Sequence, residues 1–252
     1  MRTACFAALA LAGAPLFAVA PAWADGLEVI PVQVKLTRAT LNALVSLKND
    51  GAEETRYQIE LFAWGQSREG ALELSPSKDL VFFPTLFALK PGEQRNLRVG
   101  ADPALFGPLE KTYRVFIQEL PPAQRAQASN GIRVLTRVGI PVFLDPIGAA
   151  TAKPELHSLS AALSKISFSL RNTGTAHLRP SRIRAVARSA SGDLVKDHLW
   201  DAWYLLAGGE RVYAWPFPAA ECSRVRVVEA EVALESSVLR TSIETPHGVC
   251  GP

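Results

Sequence analysis

Apolar and polar residues alternate with a period of two through most of this chain, and no stretch of ten residues holds a helical spacing. Alternation of that kind describes strands with one buried face, so the chain is read as all-β. The longest such stretch is Gly131 to Pro146, in which Ile132, Val134, Thr136, Val138 and Ile140 share one parity while Arg133, Arg137 and Gly139 share the other. Six shorter stretches precede it. Ile30, Val32, Val34 and Leu36 alternate with Pro31, Gln33 and Lys35 in a first strand over 27–36, placed at a sheet edge because proline cannot donate to a ladder. Leu41 to Asn49 follows, closed by the turn Asn49-Asp50-Gly51, and then Tyr57 to Trp64, after which a polar loop rich in Ser and Glu is expected. Leu80 to Pro84, Arg95 to Val99 and Tyr113 to Glu119 complete the set, with a Pro-Gly turn across Phe87 to Glu93 and a stop at Pro121-Pro122. Seven short strands at this spacing predict an immunoglobulin-like sandwich over 25–146.

Pro146-Ile147-Gly148 and Lys153-Pro154 bracket a linker, beyond which the pattern resumes. Strands are expected at 159–163, 166–172, 183–190, 203–206, 211–217, 224–234 and 238–244, punctuated by Asn172-Thr173-Gly174, Ser191-Gly192 and Gly208-Gly209. Residues 147–252 therefore read as a second β-sandwich.

The amino terminus changes the picture of where the protein works. Arg2 precedes an apolar run from Ala4 to Ala20 and a small-x-small ending at Ala22-Trp23-Ala24, which reads as a signal peptide over 1–24, cleaved after Ala24. Gly13 and Pro15 interrupt the run and no stop-transfer pattern follows, so the mature chain is expected to carry no membrane span. Export leaves Cys222 and Cys250, which an oxidising compartment bonds if the fold brings them together; the alternative is two buried or unpaired thiols. One of the 27 Lys and Arg residues leaves with the signal, against 24 Asp and Glu that stay, so the mature chain is nearly neutral. That balance gives no footprint for nucleic acid.

Chemistry is sparse. The histidines, His157, His177, His198 and His247, have no metal-ligand spacing and read as surface or core residues; no nucleophile elbow, phosphate loop or zinc signature is present. No catalytic residue, metal or cofactor is expected. The absence of motifs favours a binding protein over an enzyme. Taken alone, the alternating residues of 131–146 could be the core of a completed sandwich or an edge offered to a partner.

The run Tyr113-Arg114-Val115-Phe116-Ile117-Gln118-Glu119-Leu120-Pro121-Pro122, followed after a loop by Ile140-Pro141-Val142-Phe143-Leu144-Asp145-Pro146, resembles the periplasmic chaperones of chaperone-usher pili. Asn49, Trp64, and Pro84 before Phe87-Ala88-Leu89-Lys90-Pro91-Gly92 match as well, and the second domain matches more loosely through Asn172-Thr173-Gly174 and Trp203 to Gly208. The form looks most like the branch that assembles archaic or spore-coat-like pili. The resemblance implies two immunoglobulin-like β-sandwich domains in a boomerang arrangement, located in the periplasm, that bind pilus or fimbrial subunits and deliver them to an outer-membrane usher. It implies donor-strand complementation by Ile132, Val134, Thr136, Val138 and Ile140, the strand-addition mode for which pilus chaperones are a known example.

One departure stands out. Relatives grip the subunit's terminal carboxylate with an arginine on the first strand and a lysine on the seventh, but the matching places hold Gln33 and Pro141. Lys35, Arg114 and Arg137 are the candidates to replace that anchor, with Gln33 a further cleft contact; the alternative is that these are ordinary solvated edge charges. A rival reading is an exported glycan-binding or cell-surface module using Trp200, Trp203 and Trp215, although at this spacing the three are more often core.

Overall fold

The structure, a computed structural model, describes residues 26–122 and 134–250. The expected signal peptide and Ile132 lie outside them. Among the described residues the first sandwich is built from β1 (Leu27–Ile30), β2 (Val34–Leu36), β3 (Asn42–Asn49), β4 (Thr55–Gln66), β5 (Leu72–Pro76), β6 (Leu80–Phe83), β7 (Leu86–Leu89), β8 (Gln94–Ala101), β9 (Lys111–Glu119) and β10 (Arg137–Leu144). One sheet runs β1-β3-β8-β6; the other runs β2-β10-β9-β4-β5, with β7 also paired to β4. Between them lie Leu36, Val45, Leu47, Leu97, Val99, Val115, Ile117, Ile140 and Val142, all buried.

The single strand expected over 27–36 is two strands in two sheets. β1 pairs with β3, whereas β2 runs parallel to β10, and the chain crosses between sheets at Pro31 to Gln33. Parity shifts at the crossing, so Val29, Val34 and Leu36 are buried while Ile30 and Val32 face solvent. Two other expectations are corrected. The polar loop after Trp64 contains β5, which closes a hairpin on β4 through Trp64↔Leu74, and the Pro-Gly turn is confined to Lys90–Glu93 because Leu86–Leu89 is a strand on β4. Gly92 sits at φ 73°, the left-handed conformation that such a turn requires.

The second sandwich comprises β11 (Pro154–Ala162), β12 (Lys165–Asn172), β13 (Arg182–Arg188), β14 (Leu194–Trp200), β15 (Glu210–Pro216), β16 (Val227–Ala233) and β17 (Val238–Glu244). Its sheets run β11-β12-β15 and β14-β13-β16-β17. β14 was not expected, since Leu-Val-Lys-Asp-His-Leu-Trp has no strict alternation on this edge strand, and residues 203–206 form only an isolated bridge, Leu178↔Leu205. Cys222, at the end of a four-residue helix Ala219–Cys222, is bonded to Cys250 with Cα atoms 5.2 Å apart.

The same device shapes one end of both sandwiches. Asn49 Nδ2 donates to the carbonyls of Glu53 (2.8 Å) and Leu89 (2.9 Å) while its Oδ1 accepts from Gly51 N. Asn172 repeats this, donating to Ala176 O (2.8 Å) and Leu206 O (3.2 Å) and accepting from Gly174 N. A buried carboxamide satisfies backbone groups that no ladder reaches, which is why the two Asn-x-Gly turns are built alike.

Candidate functional site: an open strand edge beside an aromatic cleft

β10 is bound on one side along its whole length and on the other along only part of it. β9 pairs with it from Arg137↔Gln118 to Leu144↔Lys111, and the Glu119 N–H to Thr136 O bond of 2.9 Å fixes the phase. Residues 136, 138, 140, 142 and 144 therefore bond towards β9, and 137, 139, 141 and 143 present their backbone groups outward. β2 takes up that outer side only at Val142, Phe143 and Leu144, continued by the Asp145 N–H to Leu36 O bond of 2.9 Å. From Arg137 to Pro141 no strand among the described residues covers it. Pro141 has no N–H to present and so sits where the missing donor disturbs no ladder.

Side chains along the same strand grade from core to open. Ile140 is 2% exposed and packs in the first sandwich's own core; it shares the parity of the expected donor residues but is committed at home, a correction to that set. Val138 is partly buried at the rim of that core, Thr136 is half-buried, and Val134 is 82% exposed. Residues 134–136 are not in a strand, so the element expected from 131 to 146 is regular only over Arg137–Leu144 among the described residues.

The opposite face of this sheet meets the second domain. Trp64 and Phe143 from the first domain join Tyr204 and Leu206 from the second in one buried cluster. Phe143 stacks on His177 at 3.9 Å, and the His177 ring Nδ1 lies 2.8 Å from Glu110 Oε1, whose side chain is almost wholly buried. A second tie lies at the tip of the β4–β5 hairpin, where Val212 N donates to Arg68 O at 2.7 Å and Arg68 Nη2 to Glu210 Oε1 at 2.6 Å. Gln66 Nε2 donates to Tyr204 O at 2.9 Å between the two ties.

The candidate cations differ sharply in their surroundings. Lys35 is mostly exposed and pairs with Asp145 Oδ2 at 3.2 Å. Arg137 pairs with Glu60 Oε2 at 3.2 Å and lies 3.9 Å over the Phe116 ring, which itself covers Gly139, where a Cβ would meet Phe116 at 2.7 Å. Arg114 is 7% exposed, donates to Gly139 O at a long 3.3 Å, and lies 4.2 Å over Trp64 and 5.5 Å from Trp203. It has no carboxylate partner among the described residues. Burial pushes the Arg114 guanidinium below its ordinary pKa, with the neighbouring Tyr204 acting the other way. Gln33 accepts from the Tyr204 hydroxyl at 3.2 Å. Trp64 Nε1, Gln66 Oε1, Arg114 Nε and Asp145 Oδ1 are buried polar atoms without a hydrogen-bond partner at or beside this interface. Unpaired buried groups of this kind are uncommon enough to need an account.

Sequence reasoning missed Tyr204, Glu110 and His177 as interface residues. The signals were present in Trp203-Tyr204-Leu205-Leu206, yet nothing in a one-dimensional pattern says that a loop of the second domain turns its aromatics onto the first. The tryptophans named for a glycan platform do not share a face: Trp215 and Trp200 pack against the second core around His198, whereas Trp203 packs on Tyr204. Among the described residues no group of three or more His, Cys, Asp or Glu could hold a metal, and no helix is long and apolar enough to cross a membrane.

Three solved structures illustrate the likeness in fold. The CsuC–CsuE chaperone and tip adhesion subunit pre-assembly complex of archaic Csu pili from Acinetobacter baumannii aligns with a TM-score of 0.59 at 20% identity, covering 85% of this chain and 97% of that one. The Salmonella enterica SafA pilin in complex with the SafB chaperone gives 0.56 at 14%, covering 88% and 98%, and the Escherichia coli chaperone DraB gives 0.54 at 18%, covering 88% and 98%. At these identities the likeness concerns the fold, and the same two immunoglobulin-like β domains are present here. No curated protein matches the sequence significantly. Residues 26–150 match the family model described as pili and flagellar-assembly chaperone, PapD N-terminal domain, and the chain belongs to that family of pilus-assembly chaperones.

Proposed function

We propose that this chain is a periplasmic chaperone that lends the open margin of β10 to an incomplete pilus subunit, completes the subunit's interior until assembly, and passes it to an outer-membrane usher. The observation that carries the reading is the uncovered edge from Arg137 to Pro141, continued by Val134, a side chain of core parity that the chain itself leaves exposed. A free edge offers backbone groups at about 1 kcal/mol net for each ladder hydrogen bond. Ile132 and Val134 add roughly 1.5 to 3 kcal/mol each on full burial in a subunit groove, and Val138 adds part of that because it is partly buried already. Thr136 lies between them on the same face.

Arg114 is the cation that best fits the terminal-carboxylate role. Lys35 and Arg137 already have carboxylate partners, whereas Arg114 is buried in the cleft with an unpaired Nε. Pro141 is the register partner of Arg114 and brings no charge beside it, and Gln33, just before β2, accepts from the Tyr204 hydroxyl.

The test is co-export of the mature chain with a subunit lacking its last strand. Wild type is expected to co-purify with the subunit, and Val134→Asp to lose it while melting unchanged, since Val134 touches little in the free protein. A variant that keeps the subunit with undiminished yield refutes strand donation here. Binding on a glycan array with no subunit required would point to the exported surface module instead.

A further inference from the structure

Gly139 is the middle residue of the open edge, and two side chains of β9 close on it. On the sheet face the Phe116 ring lies so near that a Cβ at 139 would meet it at 2.7 Å. Arg137 covers that ring at 3.9 Å and is tied to Glu60 at 3.2 Å, while Phe62 meets the ring edge-on at 5.5 Å. Arg137 is thereby committed to the face of the sheet and not to its margin.

The margin is met by Arg114. In the phase of the β9–β10 ladder Gly139 turns its N–H and its carbonyl outward, where an added strand would bond them. Arg114 Nη1 donates to that carbonyl. It reaches there from the residue opposite Pro141, which has no N–H to set a rival donor beside it. The bond is weak by construction. At 3.3 Å it lies beyond the usual range of N–H to O distances, and the Nε of the same guanidinium is buried without a partner. Such a contact fills the acceptor without locking it.

We propose that Arg114 is a displaceable cap on the open edge: it fills the Gly139 acceptor in the free chain, and an extended polypeptide segment adding to β10 takes its place with a backbone N–H. An uncovered edge pairs with any extended segment. A cap at the centre of so short an edge turns away segments that bring only a few ladder bonds, and it yields to one that also buries side chains. The inference rests on the open edge proposed above and on no other contact of Arg114.

The test follows the Gly139 carbonyl 13C signal of the mature chain by NMR. A carbonyl carbon that loses its donor moves upfield, so Arg114→Met is expected to shift this signal upfield. Lys35→Met, which breaks the ion pair with Asp145, is expected to leave it in place. The displacement probe is the heptapeptide Thr-Val-Thr-Val-Thr-Val-Thr, acetylated at one end and amidated at the other; being uncharged, it offers Arg114 nothing in return. Arg114→Met is expected to bind it about three- to tenfold more tightly than wild type, the worth of one competing hydrogen bond. In wild type the peptide is expected to move the Arg114 Nε–H signal as the guanidinium leaves. Arg114→Gln, too short to reach the carbonyl, serves the same comparisons if the methionine variant does not fold. A Gly139 signal that ignores both substitutions, or a peptide bound no more tightly by either variant than by wild type, overturns the inference. If the carbonyl ignores them while wild type captures a strand-depleted subunit and Val134→Asp loses it, the cap falls and strand donation stands. If carbonyl and peptide respond as expected but Val134→Asp still captures the subunit, the cap stands and strand donation falls.

Discussion

Replacing Arg114 by Met separates what a buried cation does for folding from what it does for binding, because the two effects are expected to have opposite signs. In the free protein Arg114 is 7% exposed as a residue, and its guanidinium has no carboxylate among the described residues and is compensated by one long hydrogen bond and the Trp64 ring. Desolvating a lone ion costs several kcal/mol, and a cation over an aromatic ring returns about 1 to 2 kcal/mol. Methionine has a similar length and no charge, so Arg114→Met should leave stability unchanged or raise it by about 1 to 2 kcal/mol, a melting shift of roughly 2–8 °C upward for a chain of this size. The bound state behaves otherwise. If Arg114 faces a subunit carboxylate in the closed cleft, removing it strands that charge and costs about 2 to 5 kcal/mol, or about 30-fold to several thousand-fold in Kd. Thermal melts and a competition titration with a strand-depleted subunit read the two quantities. Arg137→Met and Lys35→Met are the internal controls; each breaks an exposed ion pair and should change either quantity by no more than about 1 kcal/mol. A variant at 114 that melts well below wild type yet holds the subunit as tightly refutes the reasoning.

Two further outcomes are expected in the second domain. The Cys222–Cys250 bond spans 28 residues, for which the chain-entropy account gives about 3.5 kcal/mol, so reductant or Cys222→Ser should lower the calorimetric transition of the second sandwich and leave that of the first in place; an unchanged trace under reductant would contradict this. On the solvent face, Arg182 at 2.6 Å and Arg240 at 2.7 Å hold the Glu231 carboxyl below its usual range. Because the folded pKa is the lower one, the unfolded chain takes up the proton first as pH falls, so this stabilisation is complete above the unfolded value of about 4.3 and is lost as pH drops through the folded one. For a pair this near to solvent it is under about 1 kcal/mol, and Glu231→Gln should be weaker than wild type by that amount in urea melts at neutral pH and indistinguishable from it in strong acid; a gap that widens on acidification would be inconsistent with the ion pair.

The sequence was legible where one face of a strand is wet and the other dry, as over Arg95 to Val99 and Arg211 to Phe217, because the period of two is then written in the residues. It misled where the chain changes partners. Ile30 and Val32 continue the parity of Val34 and Leu36, yet at Pro31 the backbone leaves one sheet for the other, and parity carries no information across such a crossing. Edge strands were the harder class: β14 has no strict alternation, and β5 alternates only over Leu72 to Ser75 and buries too little to stand apart from a polar loop. Within the candidate site, the donor face was readable and its limit was not. Ile140 and Val134 are identical as pattern, and what distinguishes them is the span of β9 and β2 beside each. The cleft was least legible, since Arg114 gains its meaning from Tyr204, ninety residues away in another domain.

The division of β10 into a cemented half and an open half follows from its register. β2 can accompany it only from Val142 onward, because the chain before Val34 is turning at Pro31 to cross between sheets and Pro141 offers that side no N–H. What remains uncovered is an edge that invites any extended segment, a standing hazard that proteins blunt with charge and proline. Both are here: Arg137 holds Glu60 on the flank of the edge, and Pro141 ends it. A second copy pairing antiparallel by the same open segment would set Arg137 of each copy opposite Pro141 of the other, which has no N–H to give the ladder. The proline that ends the edge thus works against pairing with a second copy of this chain, and under the proposed function the exposed Val134 beyond Arg137 is what a partner with an unfilled interior would bury.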